Sequence, residues 1–361
     1  MINLLFGFLF VISTIVFVHE MGHYIAARIC GVKIETFSLG FGPSIYNVKD
    51  KYETIWKICI IPVGGYVKMF GDDDISSSSL VDAKLSEEEK KRSFIFQPPL
   101  KRIFIAIAGP LANYILAFVI FFGIYMFLGK VIATNEIGGV IEDSPAFREG
   151  IKVGDIITSI DGRKISRFED IQSYLILRPK QLIKFEINRK GQLINISLVS
   201  GSRDLKDERD KLIAQIGFIG ISPNAEYVNS LGLIGSSAES LRELHNLTMV
   251  NIDSLTQIIT GKRSLKELRG TITIAKDSGR LIEKSYISFL VYIAIVSVSI
   301  GFANLLPIPI LDGGHIALCC YEIIAGKALT GIAHKAIIYI GLALVIFMFI
   351  ISTSNDINSL L

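Results

Sequence analysis

The sequence predicts an α-helical membrane protein with about four membrane-spanning helices, a membrane-associated β-hairpin region and one inserted α+β domain. Half of the 361 residues are hydrophobic, yet 20% are charged, more than a chain built only of membrane spans would carry. The charged residues are concentrated between the apolar runs. This segregation predicts a membrane core with an appended water-exposed part.

Four near-continuous apolar runs define the predicted spans. Each is close to the roughly 20 residues that cross a bilayer as a helix. The first has no basic residues before it and no small-residue cleavage site after it, so we expect it to be retained and not removed as a signal peptide. The four runs cover residues 3–28, 103–128, 286–306 and 336–352.

Basic residues predict the orientation of these spans. Lys101 and Arg102 precede the second span, and Lys327 and Lys335 lie between the third and fourth. Cytoplasmic loops are enriched in Lys and Arg, so the loops on these sides are predicted to be cytoplasmic and the segment 131–285 to face outward. We therefore expect the lipid bilayer as a partner. The net charge of +3 gives no reason to expect nucleic acid, and nothing in the sequence fixes an oligomeric state.

The four cysteines form no C-x-x-C pair and fall on or near the predicted cytoplasmic side. We therefore expect neither disulfides nor a cysteine metal cluster, and interpret these residues as small packing groups.

A His-Glu-x-x-His motif lies within the first apolar run. On a helix, His19 and His23 project from one face a turn apart, where both imidazoles can reach one Zn²⁺ while Glu20 stays beside the attacking water. Histidines at a helix end can also be interfacial. However, three ionisable groups at membrane depth, where such groups are costly, favour a metal site.

The motif supplies only two ligands, so a third is expected elsewhere. The third apolar run ends in a segment whose prolines interrupt the helix, followed by Asp312 and, three residues later, His315. Asp312 is the better candidate because it is closer to the proline turn. His315 stays open as an alternative.

Two stretches between the first spans, 37–43 and 61–69, contain glycines and prolines and flank β-forming residues at 52–60. They predict short strands and hairpins against the membrane. The acidic, serine-rich and mixed-charge stretch that follows, 72–92, is predicted to be a solvated linker without catalytic residues.

The outward segment begins with a glycine-containing stretch, continues through two β-rich runs and ends with a helix and another strand. The Ser-Pro-Ala at 144–146, the Gly-Asp at 154–155 and the Asp-Gly at 161–162 give it a resemblance to PDZ domains. That resemblance implies peptide C-terminus binding by a glycine-rich loop at Gly138, Gly139 and Val140. A domain that only blocks or orients substrates is the alternative, and we expect a size filter more than a docking site.

The sequence as a whole is similar to the bacterial site-2 proteases, the zinc intramembrane proteases of the RseP type. The similarity is collinear and rests on HEMGH, FSLGFGPSI, GGYVKM, AGPLAN, the PDZ-like segment and NLLPIPILDGGH. It implies Zn²⁺ held by His19, His23 and Asp312, with Glu20 as general base. It also implies substrate contacts at Asn304 and at Gly40, Phe41 and Gly42, the last three within a re-entrant β-loop.

The resemblance further implies four parts and a substrate class. The expected substrates are single-span membrane proteins, such as membrane-tethered transcription inhibitors and remnant signal peptides, cut in a bacterial inner membrane with the PDZ-like domain on the periplasmic side. The alternatives are a catalytically idle membrane adaptor and a membrane-anchored protease that cuts loops outside the bilayer. The sequence departs from the family pattern in three places. It has room for one PDZ-like domain, where members often have two. It has Ser299 where members often have a second asparagine, and Thr271 where they often have a proline after the glycine. The predicted parts are 1–130, 131–222, 223–285 and 286–361.

Overall fold

The computed structural model describes residues 2–71, 85–206, 212–262, 264–265, 270–329 and 331–360. Its contacts divide the chain into two compact units, the first of residues 1–120 and 269–354 and the second of residues 121–268 and 355–361. In chain order the helices and strands are α1 (Ile2–Ile29), β1 (Ile34–Lys49), β2 (Ile55–Met69), α2 (Glu87–Arg92), α3 (Pro99–Phe127), β3 (Lys130–Val140), α4 (Pro145–Arg148), β4 (Ile156–Ile160), β5 (Arg163–Lys164), α5 (Phe168–Ile176), β6 (Leu182–Arg189), β7 (Gln192–Val199), β8 (Gly201–Lys206), β9 (Leu212–Phe218), β10 (Ile221–Val228), α6 (Gly232–Ile259), α7 (Thr271–Lys284), α8 (Tyr286–Leu305), α9 (Asp312–Ala325) and α10 (Gly331–Leu360).

Four helices of the described residues are long and apolar enough to cross a membrane. They coincide with the four predicted apolar runs, although most ends differ by a few residues, because helical hydrogen bonding can continue beyond the apolar stretch. The candidate spans lie in α1, α3, α8 and α10, at Leu4–Ile29, Pro99–Phe127, Tyr286–Leu305 and Gly331–Asn358.

In the first unit, β1 and β2 are two long paired strands, where the sequence predicts several short ones. Phe37 pairs with Val67 on one side and with Trp56 on the other, so the first half of β1 lies between two parts of β2. The strands fold this closely because of Gly40, which has φ +86°. A Cβ added there would lie 2.4 Å from the Ile61 carbonyl oxygen, so only glycine fits.

The predicted linker lies partly outside the described residues, which resume at residue 85. Its mixed-charge end forms the short helix α2, which has no buried residue. Ser86 caps this helix by accepting a hydrogen bond from the backbone N–H of Glu89, whose side chain in turn accepts from the backbone N–H of Ser86.

The apolar core of the first unit joins α1 to α7 and α8. Val11 and Ile15 of α1 pack against Phe289 and Ile293 of α8. Small residues bring α7 close to the start of α1, since a Cβ added at Gly279 would lie 2.6 Å from the Leu4 Cα. This packing fixes the position of the helix that carries the His-Glu-x-x-His motif.

The second unit contains a mixed α+β domain. Its main sheet has the strand order β10-β3-β4-β6-β7, with β5 paired to β4, and β8 pairs with β9 in a separate ladder. Ile157, Ile171 and Phe185 are among the fully buried side chains of its core. The predicted domain boundary at residue 222 falls inside β10, which continues the sheet to Val228.

The long helix α6 is joined to this domain by buried ion pairs. The Lys130 Nζ lies 3.0 Å from Glu239 Oε1 and 3.4 Å from Glu243 Oε2, both on α6, and 3.5 Å from Glu169 Oε1 of the domain helix α5. Arg167 pairs with the other oxygen of Glu239. Burial opposes the charged form of Lys130, but the neighbouring carboxylates outweigh it and raise its pKa above the ordinary value. Lys130 therefore stays cationic at physiological pH and holds three acidic side chains together.

The Lys130→Met variant is expected to destabilise the second unit by roughly 2 kcal/mol, because it removes the cation that Glu169, Glu239 and Glu243 share and leaves Arg167 as the remaining cation of Glu239. The matched control is Lys184→Met on an exposed position of β6, which we expect to change stability by less than about 0.5 kcal/mol. Thermal denaturation of the purified proteins measures both. Equal melting temperatures for the two variants would contradict a stabilising role for the cluster. Deleting 131–222 would instead keep Lys130 and remove Arg163 and Arg178, which pair with Asp253 of α6.

Candidate metal centre

Helix α1 places the three polar residues of the motif as the helical spacing predicts. His19 and His23 lie one turn apart with ring centroids 4.8 Å from each other, and both are buried. Glu20 follows His19 and also borders the cavity in front of the two imidazoles. An apolar helix therefore presents two imidazoles and a carboxylate to one site.

Two glycines allow α3 to approach the histidines. A Cβ added at Gly22 of α1 would lie 2.2 Å from the Ala108 carbonyl oxygen of α3. A Cβ added at Gly109 would lie 2.3 Å from the Nε2 atom of His23 and 2.9 Å from that of His19. Any side chain at position 109 would occupy the space in which the two imidazoles meet.

Asp312 reaches the site from the turn between α8 and α9. Gly313 follows it directly, and a Cβ there would lie 2.2 Å from the Leu306 carbonyl oxygen, so the turn requires a glycine. Ile310 has φ +89°, which is a strained conformation for a β-branched residue. The turn holds Asp312 at the first position of α9, where the helix dipole favours a carboxylate.

The ligand atoms of the three residues form a compact triangle. The His19 Nε2 lies 3.2 Å from the His23 Nε2 and 3.1 Å from the Asp312 Oδ2, and the His23 Nε2 lies 3.3 Å from the Asp312 Oδ1. A tetrahedral zinc with bonds of about 2.0–2.1 Å has ligand–ligand distances of about 3.3 Å. The separations between the three residues, which involve both carboxylate oxygens of Asp312, are therefore of the length expected between ligands of one zinc ion.

The hydrogen bonds around the triangle also fit a metal ion. The His23 Nδ1 lies 2.8 Å from the Ile105 carbonyl oxygen, to which it donates, so its Nε2 carries a lone pair that faces the triangle. The Asp312 Oδ2 is buried and accepts no hydrogen bond from the described residues. Two lone-pair donors and a buried carboxylate oxygen directed at one point are a donor set for a divalent cation.

The site opens into a cavity of about 340 Å³. Asn304 and His315 both line it. His315 does not belong to the group of ligand atoms that lie within 4.8 Å of one another, whereas Asp312 does. The geometry thus favours Asp312 as the third ligand.

The sheet contributes a wall of this cavity that the sequence did not predict. Gly65, Tyr66 and Val67 of β2 line it, and the backbone N–H of Val67 hydrogen-bonds to the Glu20 carboxylate. Position 65 also requires a glycine, because a Cβ there would lie 2.7 Å from the Ser38 carbonyl oxygen. The glycine pair at 64–65 is the feature of the sequence that could have indicated a cavity wall here, although glycines in strands usually mark only bends.

Other predicted contacts lie elsewhere. Gly40, Phe41 and Gly42 do not line the cavity, but the Phe41 ring stacks on that of Tyr66, which does, with 6.1 Å between the ring centroids. The glycine-rich loop predicted at 138–140 is wrong, because Gly138, Gly139 and Val140 belong to strand β3 and that strand pairs with β10. Gly138 is needed there because a Cβ would lie 2.5 Å from the Pro223 carbonyl oxygen.

Comparison with known proteins identifies the family of the chain. The sequence matches Peptidase family M50 over residues 7–348. It is 37% identical to a protein of Rickettsia conorii provisionally named a zinc metalloprotease, over 98% of each chain. It is 34% identical to Metalloprotease MmpA of Caulobacter vibrioides, over 98% of this chain and 95% of that one. The PDZ domain of an SdrC-like protein from Listeria innocua aligns with 27% of this chain and 98% of its own, at 21% identity and a TM-score of 0.20, too low to carry an argument.

The chain therefore belongs to Peptidase family M50. The resemblance to site-2 proteases and the prediction of a metalloprotease are confirmed.

Proposed function

We propose that this protein is a zinc-dependent intramembrane endopeptidase that cleaves the membrane-spanning segments of single-span proteins. The observation that carries the proposal is the triangle of His19, His23 and Asp312, two of whose ligands lie inside a helix apolar enough to cross a bilayer. The names of the relatives support zinc as the metal. Membrane-tethered transcription inhibitors and remnant signal peptides are the proposed substrates.

Different residues of the site have different roles in peptide hydrolysis. Zinc, when bound, supplies a Lewis acid that polarises the scissile carbonyl and makes water a better nucleophile at neutral pH. His19, His23 and Asp312 hold it. The Glu20 carboxylate takes the proton of the attacking water and returns it to the leaving amine. The Val67 N–H, bonded to Glu20, orients that carboxylate.

The substrate backbone is proposed to lie along β2. A helical segment shields its peptide bonds, so the segment must unwind locally and find new backbone partners. Gly65–Val67 border the cavity, and β1 pairs with this stretch along one edge only, since Ser38 is the partner of Tyr66. An extended peptide can add to the other edge in the manner of β-augmentation. Asn304, which lines the cavity, is proposed to hydrogen-bond to the carbonyl being attacked.

The experiment uses the full chain in liposomes with a purified single-span substrate. We expect mass spectrometry to find a cut inside the apolar segment, and faster cleavage when the segment contains glycine or proline than when leucine replaces those residues. Products cut only outside the apolar segment would identify a membrane-anchored protease of exposed loops instead. The absence of cleavage with zinc bound would favour the adaptor.

The proposed orientation places the domain of β3–β10 on the periplasmic side of the inner membrane and α2 in the cytoplasm. In a variant that lacks the four native cysteines, Glu88→Cys is expected to resist a membrane-impermeant thiol reagent in spheroplasts, whereas Gln192→Cys reacts. Both positions are exposed, so reactivity reports the side of the membrane. The reverse pattern would overturn the proposed orientation.

A further inference from the structure

Asn113 of α3 is a fully buried polar residue beside the site. Its amide nitrogen Nδ2 is 3.2 Å from the His19 Nδ1, and its amide oxygen Oδ1 has no hydrogen-bond partner among the described residues. An unpaired buried amide oxygen is costly. The side chain is thus directed at the ring atom of His19 that faces away from the metal triangle.

The neighbouring helix α8 holds Asn113 in place. The Ser297 hydroxyl donates a hydrogen bond of 2.9 Å to the backbone carbonyl oxygen of Asn113. Gly301 lets α8 pack closely, since a Cβ there would be 3.2 Å from the Asn113 Cβ. These contacts leave the amide two orientations about its last bond, which exchange the oxygen and nitrogen positions.

The chemistry of His19 selects one orientation. A neutral imidazole has one N–H and one lone pair, and a metal at Nε2 takes the lone pair, so the proton is on Nδ1. The group facing Nδ1 must then accept a hydrogen bond. An amide oxygen accepts and an amide nitrogen does not, and the two are assigned by their hydrogen bonds.

We propose that Asn113 is a positioning residue for His19. With metal bound, its Oδ1 accepts a hydrogen bond from the His19 Nδ1–H and so holds the imidazole in the tautomer and ring orientation that directs the Nε2 lone pair at the metal. The inference rests on the proposed zinc function. In this arrangement the Nδ1–H of His19 donates to a side-chain oxygen, whereas the Nδ1–H of His23 donates to the main-chain carbonyl oxygen of Ile105.

The test compares Asn113→Leu, which has similar volume and no acceptor, with Asn113→Asp, which keeps an acceptor in the same place. Zinc affinity is measured by competition with a chelator on the purified full chain in detergent. Removal of an outer-shell partner typically lowers metal affinity by about 10- to 100-fold. We expect a loss of that size in Asn113→Leu and near wild-type affinity in Asn113→Asp.

Cobalt substitution and a second variant separate positioning from packing. The visible spectrum of bound Co²⁺ is expected to change in Asn113→Leu and to be restored in Asn113→Asp. Ser297→Ala, which removes a hydrogen bond to the Asn113 backbone but leaves the amide acceptor, is expected to lower the melting temperature with zinc affinity unchanged.

The outcomes distinguish this inference from the proposed function. A wild-type chain that does not retain stoichiometric zinc would refute both. Tight zinc binding by wild type together with equal affinity in Asn113→Leu would overturn the role of Asn113 alone. If Asn113→Leu and Asn113→Asp lose zinc affinity equally and both have lowered melting temperatures, Asn113 acts only in packing.

Discussion

The Glu20→Gln variant is expected to bind zinc as the wild-type chain does and to lose peptide hydrolysis by about 10²- to 10⁴-fold. The amide has nearly the same shape, and Glu20 is outside the group formed by His19, His23 and Asp312. Only the ability to accept a proton disappears. The variants His23→Ala and Asp312→Ala are expected to lose both metal and activity, because each removes one of three ligands.

Metal analysis and cleavage assays on the same preparations test this expectation. Loss of zinc from Glu20→Gln would show that Glu20 is itself a ligand or a necessary support of one. Full zinc occupancy in Asp312→Ala, with loss in His315→Ala, would move the third ligand to His315, which lines the same cavity.

The Gly109→Ala variant is expected to reduce zinc occupancy and activity by at least about tenfold, although alanine is the better helix former. The reason is steric, because the new methyl group would lie 2.3 Å from the His23 Nε2 and 2.9 Å from that of His19. Either imidazole must then leave the triangle or α3 must move away from α1.

Gly123 of the same helix provides the matched control. Among the described residues, no atom beyond the neighbouring backbone of α3 lies within 4 Å of a Cβ built there, so Gly123→Ala is expected to keep full zinc occupancy and to stabilise α3 by up to about 1 kcal/mol. Equal zinc binding and activity in the two variants would show that the space at Gly109 is not needed. A melting temperature lowered only in Gly109→Ala, with zinc retained, would point to helix packing instead.

The parts of this protein that the sequence predicts well are those encoded locally. A run of about 20 apolar residues specifies a candidate span, and the four-residue spacing of His19 and His23 specifies two side chains on one helical face. Asp312 could be proposed because an acid in an apolar, proline-interrupted segment has few explanations. Each of these signals is contained in fewer than 30 consecutive residues.

Contacts that depend on tertiary packing could not be predicted in the same way. Asn113 ends the AGPLAN motif of α3, but its relation to His19 arises only when α3 packs against α1 through Gly22 and Gly109. The error at Gly138 and Gly139 has the same origin. Glycines occur both in loops and where two backbones approach closely. Gly138 and Gly139 belong to the second case, because strand β10 pairs with β3 at these residues.

The distance along the chain between the proposed ligands has a consequence for biosynthesis. A nascent chain already carries His19, Glu20 and His23 when its first helix is made, but the proposed third ligand follows only after residues 121–268 and α8 have been made. A chain truncated at residue 306 is therefore expected to retain no tightly bound zinc, which metal analysis of the purified fragment would measure. On the proposed ligand set, the metal site is completed only when synthesis has passed residue 312, so a shorter nascent chain is expected to have no peptidase activity.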